Sequence, residues 1–417
     1  MEISQSTSPT VPQLSVPYFR PSISEEEIEQ VVACIRSGWL TSGPRVRQFE
    51  SDFATAVKAK HAVAVSSCTA ALHLAVEALG LQSGQAVLVP TVTFASTAEV
   101  IRYQGAIPIL VDCDPISLNM DLQDAEVKLR RLQQGTLPFK ETVKAVGIIP
   151  VHVGGAMMDM NRVNEFANNH SLWVVEDAAH AFPSAMRTDE SSPWIRCGQN
   201  TGAVTCFSFY TNKTITTGEG GMAVTDNPRL AERMKQMSLH GLSNDAWNRY
   251  SGSGTWDYRI IAAGYKYNMT DVAAALGLMQ LRRAEELRLA RERIATGYTE
   301  RLRDLDEIEL PQWPENRLHS WHLYPLKLRL EKLTISRNEF IDALRKNGVG
   351  FSVHWRPLHL HPLYRESFGW MPEDLPVATK QWERLISLPL FPAMSDEEFE
   401  YVVNVVRRIC ATHSVSS

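Results

Sequence analysis

Between residues 61 and 225, short apolar runs alternate with stretches of helical spacing, and this constrains the fold more than any other feature. The apolar runs cover 61–66, 85–90, 107–112, 144–151, 172–176, 203–209 and 221–225. Helical spacing falls between several of them, near 69–80, 93–104, 159–169 and 228–239. This pattern predicts an α/β fold with a mostly parallel sheet and helices on both faces. The link from 203–209 to 221–225 is too short for a crossover helix, so those two strands are expected to run antiparallel.

Further elements flank this core. Ile23–Ser37 opens with acidic residues, as a helix start favours. A long helix is expected from Asp271 to Asp304, leading into a smaller C-terminal α/β unit. There Tyr324–Leu330 and Gly350–His354 read as strands, and 335–347 and 395–411 as helices. The expected division is a flexible tail over 1–15, a large domain over 16–270, and a linker helix with a small domain over 271–417. Gly241–Tyr267 is rich in glycine and aromatic residues and reads as a long functional loop.

Composition excludes several classes. The 417 residues are 44% hydrophobic, enough for a large core, and the net charge of −5 argues against a broad nucleic-acid surface. The most basic stretch, Arg282 to Arg293, interleaves with Glu285, Glu286 and Glu292 and reads as a solvated helix face. None of the six cysteines forms a C-x-x-C pair, so no metal site is expected. The cysteines fit a reducing cytosol as small hydrophobes. The N-terminus has no secretory pattern, and Ala145–Met158 is too short to span a bilayer, so a cytoplasmic protein is expected.

Three local patterns carry chemistry. Lys213 follows the apolar run ending Phe207-Ser208-Phe209-Tyr210 and precedes a Thr/Gly-rich turn. A lysine hemmed by apolar groups loses its charge more readily and becomes nucleophilic, as a Schiff-base lysine must. Asp177 ends the strand Trp173-Val174-Val175-Glu176, where open α/β sheets bind ligands, and His180 follows one turn on. Ser66-Ser67-Cys68-Thr69 joins a strand to a helix and leaves backbone N–H groups that suit a phosphate. Each has a plainer reading: a surface lysine, a helix cap with a core histidine, a Ser/Thr cap. No G-x-G-x-x-G or P-loop run competes for the phosphate.

Phosphate cup, acid and lysine in this order resemble the DegT/DnrJ/EryC1/StrS group of pyridoxal phosphate (PLP) dependent sugar aminotransferases, of fold type I. The resemblance runs from about Val16 to about Val406. It rests on Ser37-Gly38-Trp39-Leu40-Thr41-Ser42-Gly43-Pro44, Pro90-Thr91-Val92-Thr93-Phe94, Glu176-Asp177-Ala178-Ala179-His180, the lysine run, Tyr267-Asn268-Met269-Thr270-Asp271 and His359-Leu360-His361-Pro362. It implies that Lys213 is the Schiff-base lysine and that Asp177 pairs with the pyridine nitrogen, with His180 beside it. Thr69 and Ala70 would hold the phosphate with help from Ser208, and Phe94 would stack on the ring. Asn268 would reach the phosphate of a neighbouring subunit, which implies a homodimer with shared active sites. Relatives with histidine in place of the lysine are sugar dehydratases, and this chain keeps Lys213.

The implied reaction moves an amino group from glutamate to a nucleotide-linked keto sugar, a 4-keto-6-deoxyhexose. Trp39, Thr41, Arg249 and His322 are candidates for holding that large anionic substrate. A lyase or dehydratase of the same fold type, or a PLP-binding regulator, would use the same cofactor residues. The sugar, the nucleotide, the stereochemistry and the pathway are not written in these motifs.

Overall fold

The computed structural model describes residues 14–243 and 259–415. Its strands are β1 (His61–Val65), β2 (Gln85–Pro90), β3 (Ile107–Val111), β4 (Lys144–Ile148), β5 (Trp173–Asp177), β6 (Ala185–Met186), β7 (Ile195–Arg196), β8 (Val204–Ser208), β9 (Gly221–Thr225), β10 (Ile308–Glu309), β11 (Arg317–Leu318), β12 (Tyr324–Leu328) and β13 (Leu385–Leu388). The helices of the first half are α1 (Glu25–Ser37), α2 (Pro44–Val57), α3 (Cys68–Ala78), α4 (Ser96–Tyr103), α5 (Leu122–Gln133), α6 (Met160–Asn169) and α7 (Pro228–Met237). Those of the second are α8 (Asp271–Arg282), α9 (Ala284–Leu302), α10 (Arg337–Lys346), α11 (Pro362–Phe368), α12 (Pro376–Trp382) and α13 (Asp396–His413).

The main sheet has seven strands in the order β1-β9-β8-β5-β4-β2-β3. Pairing is parallel from β8 through β5, β4 and β2 to β3. It is antiparallel where β9 lies between β8 and β1, as the short link requires. β2, β3 and β9 are buried almost throughout, as strands covered on both faces must be. Asp177 ends β5, α3 begins just beyond β1, and the Lys213 turn follows β8, so all three reach the carboxyl edge of the parallel strands.

Several expectations need correction. The helix expected over 271–304 is two helices, because Arg283 leaves helical geometry at φ −94°, ψ 2°. Gly350–His354 is not a strand: within it only Ser352 bridges, to Ser387 of β13. The expected run 144–151 stops as a strand at Ile148, two residues before Pro150, which has no N–H for a ladder. The basic stretch is not simply a solvated face, since Arg288 and Arg291 are buried.

The apolar residues form two large cores, and the chain crosses between them more than once. Val16 belongs to the C-terminal core with Tyr324, Phe340 and Phe391, and Leu14 packs against it. The Val16 and Gly350 amides hold this segment by donating to the Gly348 and Val16 carbonyls, at 2.9 and 2.8 Å. Conversely Leu358, Tyr364, Phe368, Trp370 and Leu375 pack into the core around the main sheet. Periodicity shows which side chains are buried, not which partner buries them. Among the described residues no helix is long and apolar enough to cross a membrane.

Candidate active site

A cavity of about 460 Å³ opens at the carboxyl edge of the sheet. Ser67, Cys68 and Thr69 line it from α3, Asp177 from β5, and Ser208 and Lys213 from β8 and the turn beyond. A larger recess of about 1080 Å³ lies beside Trp39 and α2, but Lys213 and Asp177 face the smaller one.

The Lys213 turn is closed by backbone bonds. The Phe209 amide donates to Gly220, the Lys213 amide to Tyr210 and the Thr217 amide to Phe209, each at 2.9 Å. Burial drives the Lys213 amine from 10.5 down to about 8, against the pull of the Cys68 thiol and the Asp177 carboxylate. Nζ stands 3.3 Å from Nε2 of His322, whose buried Nδ1 has no hydrogen-bond partner.

Asp177 is held from two sides. Thr97 Oγ1 donates to Oδ2 at 2.7 Å, and the Ala179 amide donates to Oδ1 at 3.1 Å. Thr93 Oγ1 lies 2.8 Å from Thr97 Oγ1, extending the chain to the Phe94 loop. Burial raises the Asp177 carboxyl, while these two bonds and Lys213 favour its anion. His180 Nδ1 accepts from the Gly154 amide at 3.3 Å, so its proton sits on Nε2. Its ring lies 4.1 Å from that of His322 and stacks on Trp355 at 5.0 Å. Burial keeps both imidazoles neutral, reinforced for His180 by Lys213 and for His322 by His180.

The end of the cavity at α3 is built from backbone. Ser67 is the N-cap of α3, and its hydroxyl accepts from the Ala70 amide at 3.1 Å. The amides of Cys68 and Thr69, the first two residues of the helix, have no intrahelical acceptor and sit at its positive end. The Ala70 amide is already occupied, and Ala70 does not line the cavity. Gly221 packs against the same turn: a Cβ there would sit 2.4 Å from the Ser67 carbonyl carbon.

Thr69, Phe94, Asp177, His180, Ser208, Lys213 and His322 therefore share one cavity. Phe94 is 61% exposed, an aromatic face over an open cavity. Trp39, Thr41 and Asn268 do not line it. Asn268 donates from Nδ2 to Ser42 Oγ at 2.7 Å, and Ser42 Oγ to the Met269 carbonyl at 2.5 Å. Thr41 accepts from the Asp271 amide at 3.2 Å, and Trp39 Nε1 donates to the Ser42 carbonyl at 3.3 Å. Asp271 in turn caps α2, accepting from the Gly43 amide at 2.8 Å and the Val46 amide at 2.9 Å. Arg249 lies outside the described residues.

Sequence reasoning missed Thr97, His354 and Trp355. Thr97 is one turn from Phe94, but its bond to Asp177 spans 80 positions. His354 ends a segment where a strand was expected and Trp355 follows it, with no local sign that they wall this cavity.

The residues present fit PLP: two open helix amides for a phosphate, a buried carboxylate, a flat aromatic face and an amine of lowered basicity. The comparisons agree. Residues 21–407 match the model of the DegT/DnrJ/EryC1/StrS aminotransferase family. The spore coat polysaccharide biosynthesis protein SpsC of Bacillus subtilis is 42% identical over 395 residues, covering 94% of this chain and 97% of its own. The sugar aminotransferase Spr1654 of Streptococcus pneumoniae in its PLP form superposes with a TM-score of 0.83 at 29% identity, covering 96% of this chain and 99% of that one. Its PMP form gives a TM-score of 0.84 at 30% identity over 95% and 99%. PseC of Helicobacter pylori, an aminotransferase of pseudoaminic acid biosynthesis, gives 0.83 at 25% identity over 96% and 100%.

Proposed function

This chain belongs to the DegT/DnrJ/EryC1/StrS aminotransferase family, and from that premise we propose that it carries the amino group of glutamate to a nucleotide-linked keto sugar, a 4-keto-6-deoxyhexose. That it is a PLP-dependent sugar aminotransferase follows from the family and its solved relatives. The acceptor, the donor and the residue roles below are our reading. The observation that carries it is the meeting of a weakly basic lysine, a twice-bonded aspartate and a helix N-terminus in one cavity.

PLP, when bound, supplies an electron sink for charge developing at the carbon that bears the transferred nitrogen. The Cys68 and Thr69 amides would hold its phosphate, with the Ser208 hydroxyl beside them. The Asp177 carboxylate would pair with the pyridine nitrogen and keep its proton there. Thr97 and the Ala179 amide aim that carboxylate and favour its anion. Phe94 would cover one face of the ring and exclude water from it. His180, neutral with its proton on Nε2, stands on the same wall as a donor.

Lys213 would be the residue that holds the cofactor. Its amine, with a pKa of about 8, is suited to take the proton from the donor α-carbon, pass it to the C4′ carbon of the cofactor, and carry one the opposite way to the sugar carbon. His322, 3.3 Å from Nζ, stands where it can steady that amine and meet the sugar.

Trp39, Thr41 and Asn268 have a second role in this reading. The family resemblance sends the asparagine to a neighbouring subunit's phosphate. That they do not line this chain's own cavity supports that, as do exposed Ile28, Ile35, Trp39 and Leu40 nearby in sequence, an apolar set that a partner subunit would cover. Because SpsC is named for spore coat polysaccharide biosynthesis, we place the product in surface polysaccharide biosynthesis.

The test is single-turnover chemistry. The PMP-loaded enzyme is mixed with a nucleotide-linked 4-keto-6-deoxyhexose, and the amino sugar is sought by mass spectrometry. Formation of the amino sugar with return of PLP supports the proposal. No product from this class, alongside an active glutamate half-reaction, rules out the acceptor.

A further inference from the structure

Two arginines one turn apart on α9 are both buried, and their surroundings differ. Arg288 is paired with Glu285 at 2.8 Å and Glu292 at 3.1 Å. Arg291, 3% exposed, has no carboxylate within ion-pair distance among the described residues. Its guanidinium is met by carbonyl oxygens instead. Nη1 donates to Leu390 at 2.9 Å, Trp321 at 3.4 Å and His322 at 3.5 Å. Nη2 donates to Asn212 at 3.3 Å, and Nε is buried without a partner.

A buried cation ordinarily pairs with an anion, because desolvation is costly. Carbonyl dipoles lower that cost but do not cancel the charge. The carbonyls belong to the two segments that carry the amine and its neighbour: Asn212 precedes Lys213, and His322 faces Nζ. One guanidinium thus joins the Lys213 turn to the His322 segment and leaves a net positive charge behind the amine.

We infer that Arg291 is a positioning residue for Lys213: it fixes the turn against His322, and its uncompensated charge adds to burial in disfavouring the ammonium. The inference rests on the reading of Lys213 as the PLP lysine, but the charge effect does not need the cofactor. The groups facing Lys213 are Cys68 from α3, Asp177 from β5, and His180, His322 and His354 from the far wall. Tyr210 and Glu219 share that cavity, and Tyr18 faces Arg291. Asp177 and Cys68 favour the ammonium, and Arg291 opposes it. Removing Arg291 leaves the two groups that favour the proton.

The first readout uses cofactor-free protein. Lys213 modification by an amine-selective reagent is followed against pH by peptide mass mapping, for the wild type, Arg291→Met and Arg291→Lys. The second is the pH midpoint of the visible band in the PLP-loaded proteins. In Arg291→Met both midpoints should rise, by roughly one pH unit for loss of a nearby like charge. Arg291→Lys places an ammonium in the same buried position, where burial lets it lose its own proton, so its midpoints should fall between those of wild type and Arg291→Met while its turnover falls. If Arg291→Met does not fold, Arg291→Gln, whose amide N–H can still donate to those carbonyls, carries the same test. Unmoved midpoints in the neutral variant would overturn the inference. A shifted amine in cofactor-free protein with no visible band after PLP is added would sustain the charge effect and remove the PLP reading of Lys213.

Discussion

Lys213 is asked to do most of the chemistry, and its setting suits the task. Lys213→Arg keeps the charge but cannot lose its proton at working pH. Transamination should fall by at least the ~10²–10⁴ typical of a lost acid–base group. Appreciable amino-sugar formation by that variant would end the mechanism. The acid has its own test. Thr97→Val deletes the 2.7 Å bond that favours the Asp177 anion. Net loss of a hydrogen bond to a charged group is worth about 1.5–3 kcal/mol, so PLP should bind roughly tenfold or more weakly by fluorescence titration. Unchanged affinity would mean that Asp177 needs no orienting partner. A pH effect follows from Lys213 as well. Its pKa is lowered in the fold, so the unfolded chain binds more protons between about 8 and 10.5. The cofactor-free enzyme should therefore gain stability as pH rises through that window, relative to Lys213→Met, which lacks the group. Parallel melting-temperature profiles of the two proteins would contradict this.

At the scale of elements, α3 and β9 build the phosphate end together. Ser67→Ala removes the N-cap and should cost about 1 kcal/mol of stability. Gly221→Ala would drive a methyl into the Ser67 backbone, which cannot yield as a flexible side chain would. It should weaken PLP binding more than Ser67→Ala does, because it displaces the amides themselves. Equal affinities for the two variants would deny the close approach a functional part. This part of the site was legible because it is local. The cup, Asp177 and Lys213 each sit at the end of a strand whose apolar run is visible in the sequence, and parallel strands bring such ends to one edge. What was not legible depends on distant pairing. Thr97 gives no sign that it meets Asp177, and Trp355 gives none that it stacks on His180. α2 was missed although Pro44 stands at its first turn, because its cap, Asp271, comes from 228 positions away.

At the scale of the whole molecule, two cores share a chain that crosses between them more than once. Residues 14–16 close the C-terminal core and 358–375 close the core of the main sheet. Hydropathy along the sequence could not reveal those exchanges. The placement of Asn268, Trp39 and Thr41 away from the cavity belongs to this scale too. If a second copy completes each site, sedimentation should give a dimer of the 46.8 kDa chain. Asn268→Ala should then weaken PLP binding without altering the wild-type wall around Lys213. A monomer with full activity would remove the shared site.

The most direct test of the central claim is the absorbance spectrum of the purified protein with PLP, before and after glutamate is added. The prediction is a visible band from PLP held by Lys213, absent in Lys213→Met, that gives way to the spectrum of pyridoxamine phosphate as 2-oxoglutarate appears. A band that ignores glutamate would contradict the proposed donor. No band at all would contradict the assignment of Lys213 and the chemistry built on it.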